Sequence, residues 1–339
     1  MKIAIHHRKG SFSERWIEYC KENSITYKIV NAYSSDIIKQ IEDCDAFMWH
    51  HHHGNVKDLL IAKELMFSLE QANKIVFPDF KTAWHFDDKI GQKYLFESIN
   101  APLVPTYVSY DMKEAIDWAN NTVFPKVFKL RGGAGASNVR LVKNKNEAKK
   151  IIKKAFSKGF PQFDRWNHFF EKYNHFKNSR NIIDLLKGFY RLVRVPELGK
   201  KIYNQKGYVY FQDFIPNNKG DIRIIVINKK AFVIHRLNRK NDFRASGSGI
   251  IDYPDNNTVN FDCLSTAFKL SDKIGSDCVA FDFVLEKEEP LVVEISYSFT
   301  TKGYDLCKGY WDENLNWFPG KFNPQEWMVN TVINLIQKR

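Results

Sequence analysis

Long apolar runs, paired cysteines and the common phosphate-loop signature are all missing from this sequence. No run of about eighteen apolar residues occurs, which excludes a membrane-spanning helix. Cysteine is sparse: Cys20, Cys44, Cys263, Cys278 and Cys307 are the 5 among 339 residues, and no two have a paired spacing. An odd, scattered set excludes a disulfide framework and a clustered zinc site, and it fits a reducing cytosol. The opening MKIAIHHRKG turns basic after a short apolar start, so it does not read as a signal peptide. No G-x-x-x-x-G-K-[ST] loop is found, which excludes the Walker class of phosphate sites.

What remains is the composition of a globular protein, 44% apolar and 27% charged, long enough for two or three domains. The formal net charge is +12. Such an excess suits nucleic acid, a membrane surface or small anionic substrates. No nucleic-acid motif accompanies it, so a nucleic-acid partner is not expected.

Residues 1–85 alternate strand and helix. Strands are expected at 2–6, 27–32, 45–49 and 74–78, with helices from Ser11 or Ser13 to about 23, at 35–43 and at 56–73. This predicts a small parallel sheet covered on both faces, with ligands at the carboxyl ends of its strands. Two features fall at those ends. The first strand runs into His6, His7, Arg8, Lys9, Gly10 and Ser11 before a helix start, an arrangement that suits anions. The third runs into His50, His51, His52 and His53. Consecutive side chains diverge, so the run is a poor metal cage. One member, such as His51, facing a substrate is the better functional reading, and a solvent-facing loop is the plain one.

The stretch VFPKVFKLRGGAGASNV reads as strand, small-residue loop, strand. Gly132, Gly133, Ala134, Gly135, Ala136 and Ser137 let backbone N–H groups approach a phosphate chain, and Lys129 adds a point charge. A glycine-rich hairpin turn is the bland alternative. Residues 158–206 carry many aromatic and basic side chains and read as two or three amphipathic helices. They form a surface insertion or, alternatively, a platform for a membrane surface or polymer. Further on, residues 279–285 and 291–295 read as a hairpin. Alternation turns Asp282 away from Phe281 and Phe283, and Glu294 away from its apolar neighbours, so two acids on paired strands can converge on one divalent cation. A salt bridge is the alternative for each acid taken singly.

In chain order, the Asp88-Lys89 helix, VFKLRGGAGASNV, YFQDFIP, GDIRIIVI, RLNRKNDFRASGSG and FDFVLEKEEPLVVEIS resemble the segments of the ATP-grasp superfamily. The resemblance covers residues 86–305 and implies an α/β architecture: an ATP-grasp fold, two α+β subdomains clasping ATP. Residues 1–85 look like its Rossmann-like partner domain. Within 86–339 it implies a nucleotide-binding core at 86–157 and 207–305, an insertion at 158–206 and an aromatic lid or helix at 306–339.

It also implies site residues. Lys89, Lys129 and the 132–137 loop take the phosphates of ATP. Gln212, Asp213, Phe214 and Ile215 form the adenine hinge, and Asp221 meets the ribose. Asp282 and Glu294 hold Mg²⁺ (or Mn²⁺), with Ser296 where relatives often have Asn. Arg223 and Arg244 clamp the substrate carboxylate or the tetrahedral intermediate. The reaction implied joins a carboxylate to an amine through an acylphosphate, releasing ADP and phosphate.

The C-terminal stretch after EISYSF, with Trp311, Trp317 and Trp327, resembles ATP-grasp proteins of bacterial surface polysaccharide synthesis. Its aromatics suit a sugar site or a packed lid. This suggests a cytoplasmic enzyme that amidates a uronic acid or nucleotide-linked uronate with a small amine, amino alcohol or amino acid. Arg8, Ser11, His51, Arg236, Ser246 and Lys302 are candidates to face that substrate, and peripheral membrane contact is compatible with it. An amino-acid or peptide ligase and a non-catalytic nucleotide-binding module are the alternatives.

Overall fold

The computed structural model describes residues 1–133, 138–161, 204–240, 242–301 and 303–339. The chain divides into two compact units: residues 1–86, 96–102 and 218–339 in the first, 87–95 and 103–217 in the second.

The first unit opens with the expected parallel sheet. Strands β1 (Ile3–His6), β2 (Tyr27–Val30), β3 (Ala46–Trp49) and β4 (Ile75–Phe77) run in the order β2-β1-β3-β4, and the short helix α4 (Phe80–Ala83) follows β4. Period-two alternation sends Ile3, Ile5 and Met48 to one face and Ala4, Phe47 and Trp49 to the other. Helices α2 (Ile37–Ile41) and α3 (Val56–Gln71) cover the second face with Ile37, Ile41, Leu65, Met66 and Leu69. Helix α1 (Phe12–Glu22), capped by the Ser11 hydroxyl accepting from the Ser13 amide, covers the first with Phe12, Trp16 and Cys20. The strand order reverses between β1 and β3, so a crevice for ligands is expected at their carboxyl ends. His6–Arg8 and His50–His53 lie there.

A larger sheet follows in the same unit, in the order β13-β12-β9-β10-β14-β15, with β11 on β10. Its members are β9 (Gly220–Ile227), β10 (Lys230–Leu237), β11 (Ile251–Asp252), β12 (Cys278–Glu286), β13 (Glu289–Ser296), β14 (Gly309–Asp312) and β15 (Trp317–Pro319). Ile225, Ile227, Phe232, Ile234, Cys278 and Ala280 share one face, and they join the same core as Ile3, Ile5, Phe12 and Trp16. The C-terminal helix, here α9 (Pro324–Gln337), adds Trp327, Met328, Val329 and Val332 to that core. Helix α8 (Phe261–Ile274) packs against β9, β12 and β13 and ends at Gly275, whose φ of 68° suits glycine.

The aromatic C-terminal stretch is packed structure. Trp311 is fully buried on a strand hydrogen-bonded to β10, and Phe322 stacks on Trp327. These rings are spent on the core, so for Trp311 and Trp327 the sugar-stacking expectation gives way to its packed alternative.

The second unit is built on an antiparallel sheet of β5 (Thr106–Ser109), β8 (Val209–Asp213), β6 (Lys126–Phe128) and β7 (Arg140–Val142), in that order. Helices α6 (Met112–Asn121) and α7 (Lys145–Ala155) cover one face with small residues, Ala115, Ala119, Ala148 and Ala155, against Phe128 and Phe211. The other face carries Lys129, Gln212 and Thr106. The expected helices within 158–206 fall almost wholly on residues 162–203, outside the described residues.

Candidate active site

Two clusters of charged side chains, one in each unit, gather most of the sequence's candidates.

In the second unit, Lys129 leaves the end of β6 on the face away from the helices. It is buried, and its ammonium donates to Gln212 Oε1 at 2.6 Å. The Gln212 amide in turn donates to Thr106 Oγ1 at 3.2 Å. Lys89, at the start of α5 (Lys89–Ser98), is also buried, and its ammonium donates to the Gly133 carbonyl at 2.9 Å. The loop is tied back to the same corner. The Arg131 carbonyl accepts from the Lys89 amide at 2.9 Å, and Arg131 Nη2 meets the buried Asp88 at 2.5 Å. The Gly133 amide donates to Asp87 Oδ1 at 2.7 Å. Gly133 holds φ at 115°, a region L side chains rarely enter, so the sequence needs glycine there.

Two buried ammonium groups beside a glycine turn suit a polyphosphate, because burial strengthens their pull on an anion. Ala134, Gly135, Ala136 and Ser137 lie outside the described residues. Asp213, expected in the adenine hinge, pairs with Lys126 at 2.5 Å. Phe214 and Ile215 follow it beyond the strand.

In the first unit, Asp282 and Glu294 are cross-strand partners in the large sheet, and Asp221 lies two residues before Arg223 on β9. The turn between β12 and β13 is two residues long, Lys287 and Glu288, and it pairs Glu286 with Glu289. Counted strictly from that turn, Asp282 would face Val293, and Glu294 would point to the opposite face. A bulge between Asp282 and Phe283 inserts Val293 as an extra residue, so Asp282 pairs with Glu294 on one face. The bulge is therefore what assembles the acidic pair.

Arg223 of β9 pairs directly with Asp282 and forks onto it, Nε to Oδ1 at 2.6 Å and Nη2 to Oδ2 at 2.8 Å. Arg236 of β10 forks onto Asp221 with both contacts at 2.6 Å and also reaches Asp282 Oδ2 at 2.7 Å. Burial alone would raise the Asp282 carboxyl, but the two guanidiniums outweigh it and hold it down to about 2. Asp221 goes the other way: burial raises it against the pull of Arg236, and the charge of Asp282 adds to the rise.

A divalent cation fits this donor set, two carboxylates facing one way on paired strands. Both Asp282 oxygens are engaged by arginines, so a cation held there shares or displaces those contacts. Ser296 lies on the same face, but its hydroxyl donates to the Ser298 carbonyl at 2.9 Å and accepts from the Ser298 amide at 3.2 Å. Its oxygen is already part of a turn.

The remaining candidates scatter. Arg244 is held by Asp242, two residues away, at 2.8–3.1 Å. Ser246 follows it, half-buried. Ser11 is a buried helix cap. Its role and that of His50 alter the anion reading of the α1 start, because the Phe12 amide donates to His50 Nδ1 at 3.1 Å and the Ser13 amide to Ser11 Oγ. Those N–H groups are used within the protein. His51 is turned into the core, 4% exposed against Trp49, Phe86 and Tyr297, and burial pushes it down to about 3. The structure thus corrects the expectation that His51 faces a substrate. Arg8 is half-buried, and its charge reaches His50, His52 and Asp58. Lys302 lies outside the described residues. Among the described residues no cluster of three or more His, Cys, Asp and Glu side chains is placed to hold a metal.

A family model, the ATP-binding domain of the carbamoyl-phosphate synthase L chain, matches residues 88–182. The α-aminoadipate–LysW ligase LysX of Saccharolobus solfataricus is 22% identical over 277 residues, covering 79% of this chain and 82% of that protein. Two solved structures align over nearly their whole lengths. One is a RimK-domain ATP-grasp protein of Sphaerobacter thermophilus, with TM-score 0.56 and 13% identity, covering 98% of this chain and 100% of that one. The other is the D-alanine–D-alanine ligase of Bacillus anthracis complexed with ATP, with TM-score 0.55 and 11% identity, covering 100% and 98%. The chain has the ATP-grasp fold, preceded by a parallel α/β sheet.

Proposed function

We propose that this chain is an ATP-dependent carboxylate–amine ligase that forms an amide through an acylphosphate. The observation that carries the reading is the pairing of Asp282 with Glu294 by a bulge, beside two forked arginines, in an ATP-grasp fold. The nucleotide is ATP and the metal Mg²⁺, with Mn²⁺ as a substitute.

Lys89, Lys129 and the glycine loop neutralise the phosphates, while Gln212 to Ile215 receive the adenine. Asp221 meets the ribose, and Asp282 and Glu294 would hold the metal. When bound, the metal spreads the charge of the phosphates. The acid's carboxylate oxygen attacks the γ-phosphorus, the bond to the β-bridging oxygen breaks and ADP leaves. The amine then attacks the acyl carbon, loses a proton, and phosphate departs. Arg223 and Arg244, whose forks rest on Asp282 and Asp242, stabilise the anionic carboxylate and the tetrahedral stage by their positive charge as those contacts are shared.

The acid we favour is a uronate or nucleotide-linked uronate, joined to a small amine for a surface polysaccharide. The net charge of +12 supports a polyanionic substrate. The reaction belongs in the cytoplasm, and five free buried cysteines support a reducing compartment. Among the described residues no helix is long and apolar enough to cross a membrane. In this reading residues 1–85 are the partner domain of an ATP-grasp domain spanning 86–339. An amino-acid ligase is the second reading, favoured by the name of the S. solfataricus relative, a ligase of α-aminoadipate.

The test uses the full chain with Mg²⁺ and ATP, and hydroxylamine in place of the amine. UDP-glucuronate, glucuronate, L-glutamate and D-alanine are offered singly. ADP and hydroxamate in equal amounts with a uronate are expected. Turnover with amino acids alone favours the second reading, and no ADP with any acid sinks the ligase reading.

A further inference from the structure

The histidine run contains one member whose surroundings fix its chemistry. His50 is 6% exposed at the carboxyl end of β3. Its ring stacks on Phe12 at 3.7 Å and 3°. Its Nδ1 lies 3.1 Å from the Phe12 amide, which can only donate, so Nδ1 is the acceptor. Burial, with the charge of Arg8 next, lowers its basicity well below the ordinary value, so the ring is neutral. A neutral ring that accepts at Nδ1 carries its proton on Nε2. That atom lies 2.8 Å from Ser298 Oγ, and it therefore donates to it.

Ser298 stands four residues beyond Glu294 on the same chain segment. Its amide and carbonyl are both fastened by Ser296 Oγ, at 3.2 and 2.9 Å. Its hydroxyl oxygen accepts from His50, so its own proton is left to donate elsewhere. The residue is half-buried, and no acceptor for that proton is found among the described residues. A hydroxyl oriented by a fixed histidine is a pre-set donor for an anionic oxygen. Arg8 supplies positive charge near the same histidine.

We propose that Ser298 donates a hydrogen bond to a carboxylate oxygen of the acid substrate, and that His50 is the positioning residue that aims it. The inference rests on the ligase reading. His50 cannot be a base toward Ser298, because its Nε2 already carries a proton. Its contribution is orientation, and a side chain with an acceptor and a donor in the right places can replace it. Glutamine fits, since its oxygen can accept from Phe12 and its amide can donate to Ser298.

The experiment measures ADP release by the full chain with Mg²⁺-ATP, hydroxylamine and whichever acid of the panel above the wild type accepts. The variants are Ser298→Ala, His50→Ala, His50→Gln and the double Ser298→Ala/His50→Ala. Losing one hydrogen bond to a charged group predicts a rise of about tenfold in the KM for the acid. The KM for ATP is expected to stay within about twofold by the same reasoning. The double variant is expected to match the single ones, because both remove the same bond. His50→Gln is expected to recover most of the loss.

A rise in the KM for ATP instead would show that the hydroxyl serves a phosphate and would overturn the proposal. Additive losses, or His50→Gln behaving like His50→Ala while melting like the wild type, would also overturn it. If the wild type turns over and Ser298→Ala is unchanged, this inference fails and the ligase reading stands. A wild type that releases no ADP with any acid removes both.

Discussion

Asp282 is where the residue-scale energetics concentrate. It is 5% exposed and takes contacts from two guanidiniums, one of which also holds Asp221. Removing one partner of such a buried network leaves a carboxylate without compensation. Arg236→Ala is therefore expected to cost about 3–5 kcal/mol in urea denaturation, and a cost under about 1 kcal/mol would show the network to be dispensable. The pH dependence has a definite sign. The folded state holds the Asp282 carboxyl at about 2, below its ordinary 3.8, so its contribution is full above that ordinary value. It is lost as pH falls through the range between the two. The stability gap between wild type and Asp282→Asn should therefore narrow as pH drops from about 4 to about 2. A gap that widens over that range contradicts the assignment. The acids themselves were legible from alternation and order. The arginine forks were not, because strand register decides which arginine meets which acid.

Register was itself partly readable at the scale of elements. The two-residue turn at Asn228 and Lys229, with φ of 44° and 63°, pairs Ile227 with Lys230. Counting outward from it pairs Asp221 with Arg236. Taking Lys230 into the turn, as the sequence invites, shifts every pair by one and hides the ion pair. The β12–β13 hairpin was harder, since nothing in EKEEPLVVEIS marks Val293 as a bulge. Its turn offers a test of the backbone reading. Glu288 sits at φ 68°, a left-handed conformation that costs an L side chain about 1–2 kcal/mol, part of which glycine regains. Glu288→Gly should raise stability by about 0.5–1 kcal/mol, measured by thermal melting. A lower melting temperature would mean the turn is not of this type. Strands as short as Trp317–Pro319 leave no period to read in the sequence.

At the scale of the molecule, the expected boundary near residue 85 separates two sheets that share one core. The parallel sheet was legible because each strand and helix carries its own local period. The sharing was not, because Ile225, Ile227, Phe232 and Ile234 join one core with Phe12 and Trp16 from more than half the chain away. That packing has a consequence for truncation. A chain beginning at residue 87 keeps the large sheet and α9 but loses Ile3, Ile5, Phe12 and Trp16 from the core they share. Each of the uncovered residues loses about 1.5–3 kcal/mol of burial, against a whole-domain stability of about 5–15 kcal/mol. The shortened chain is therefore expected to bind a hydrophobic dye, lose its cooperative melting transition and aggregate. Co-expression with residues 1–86 as a separate chain should restore a cooperative transition, since the same face is then covered. A truncated chain that melts cooperatively on its own would show that the two sheets stabilise themselves independently, and that the boundary near residue 85 separates domains in energy as well as in sequence.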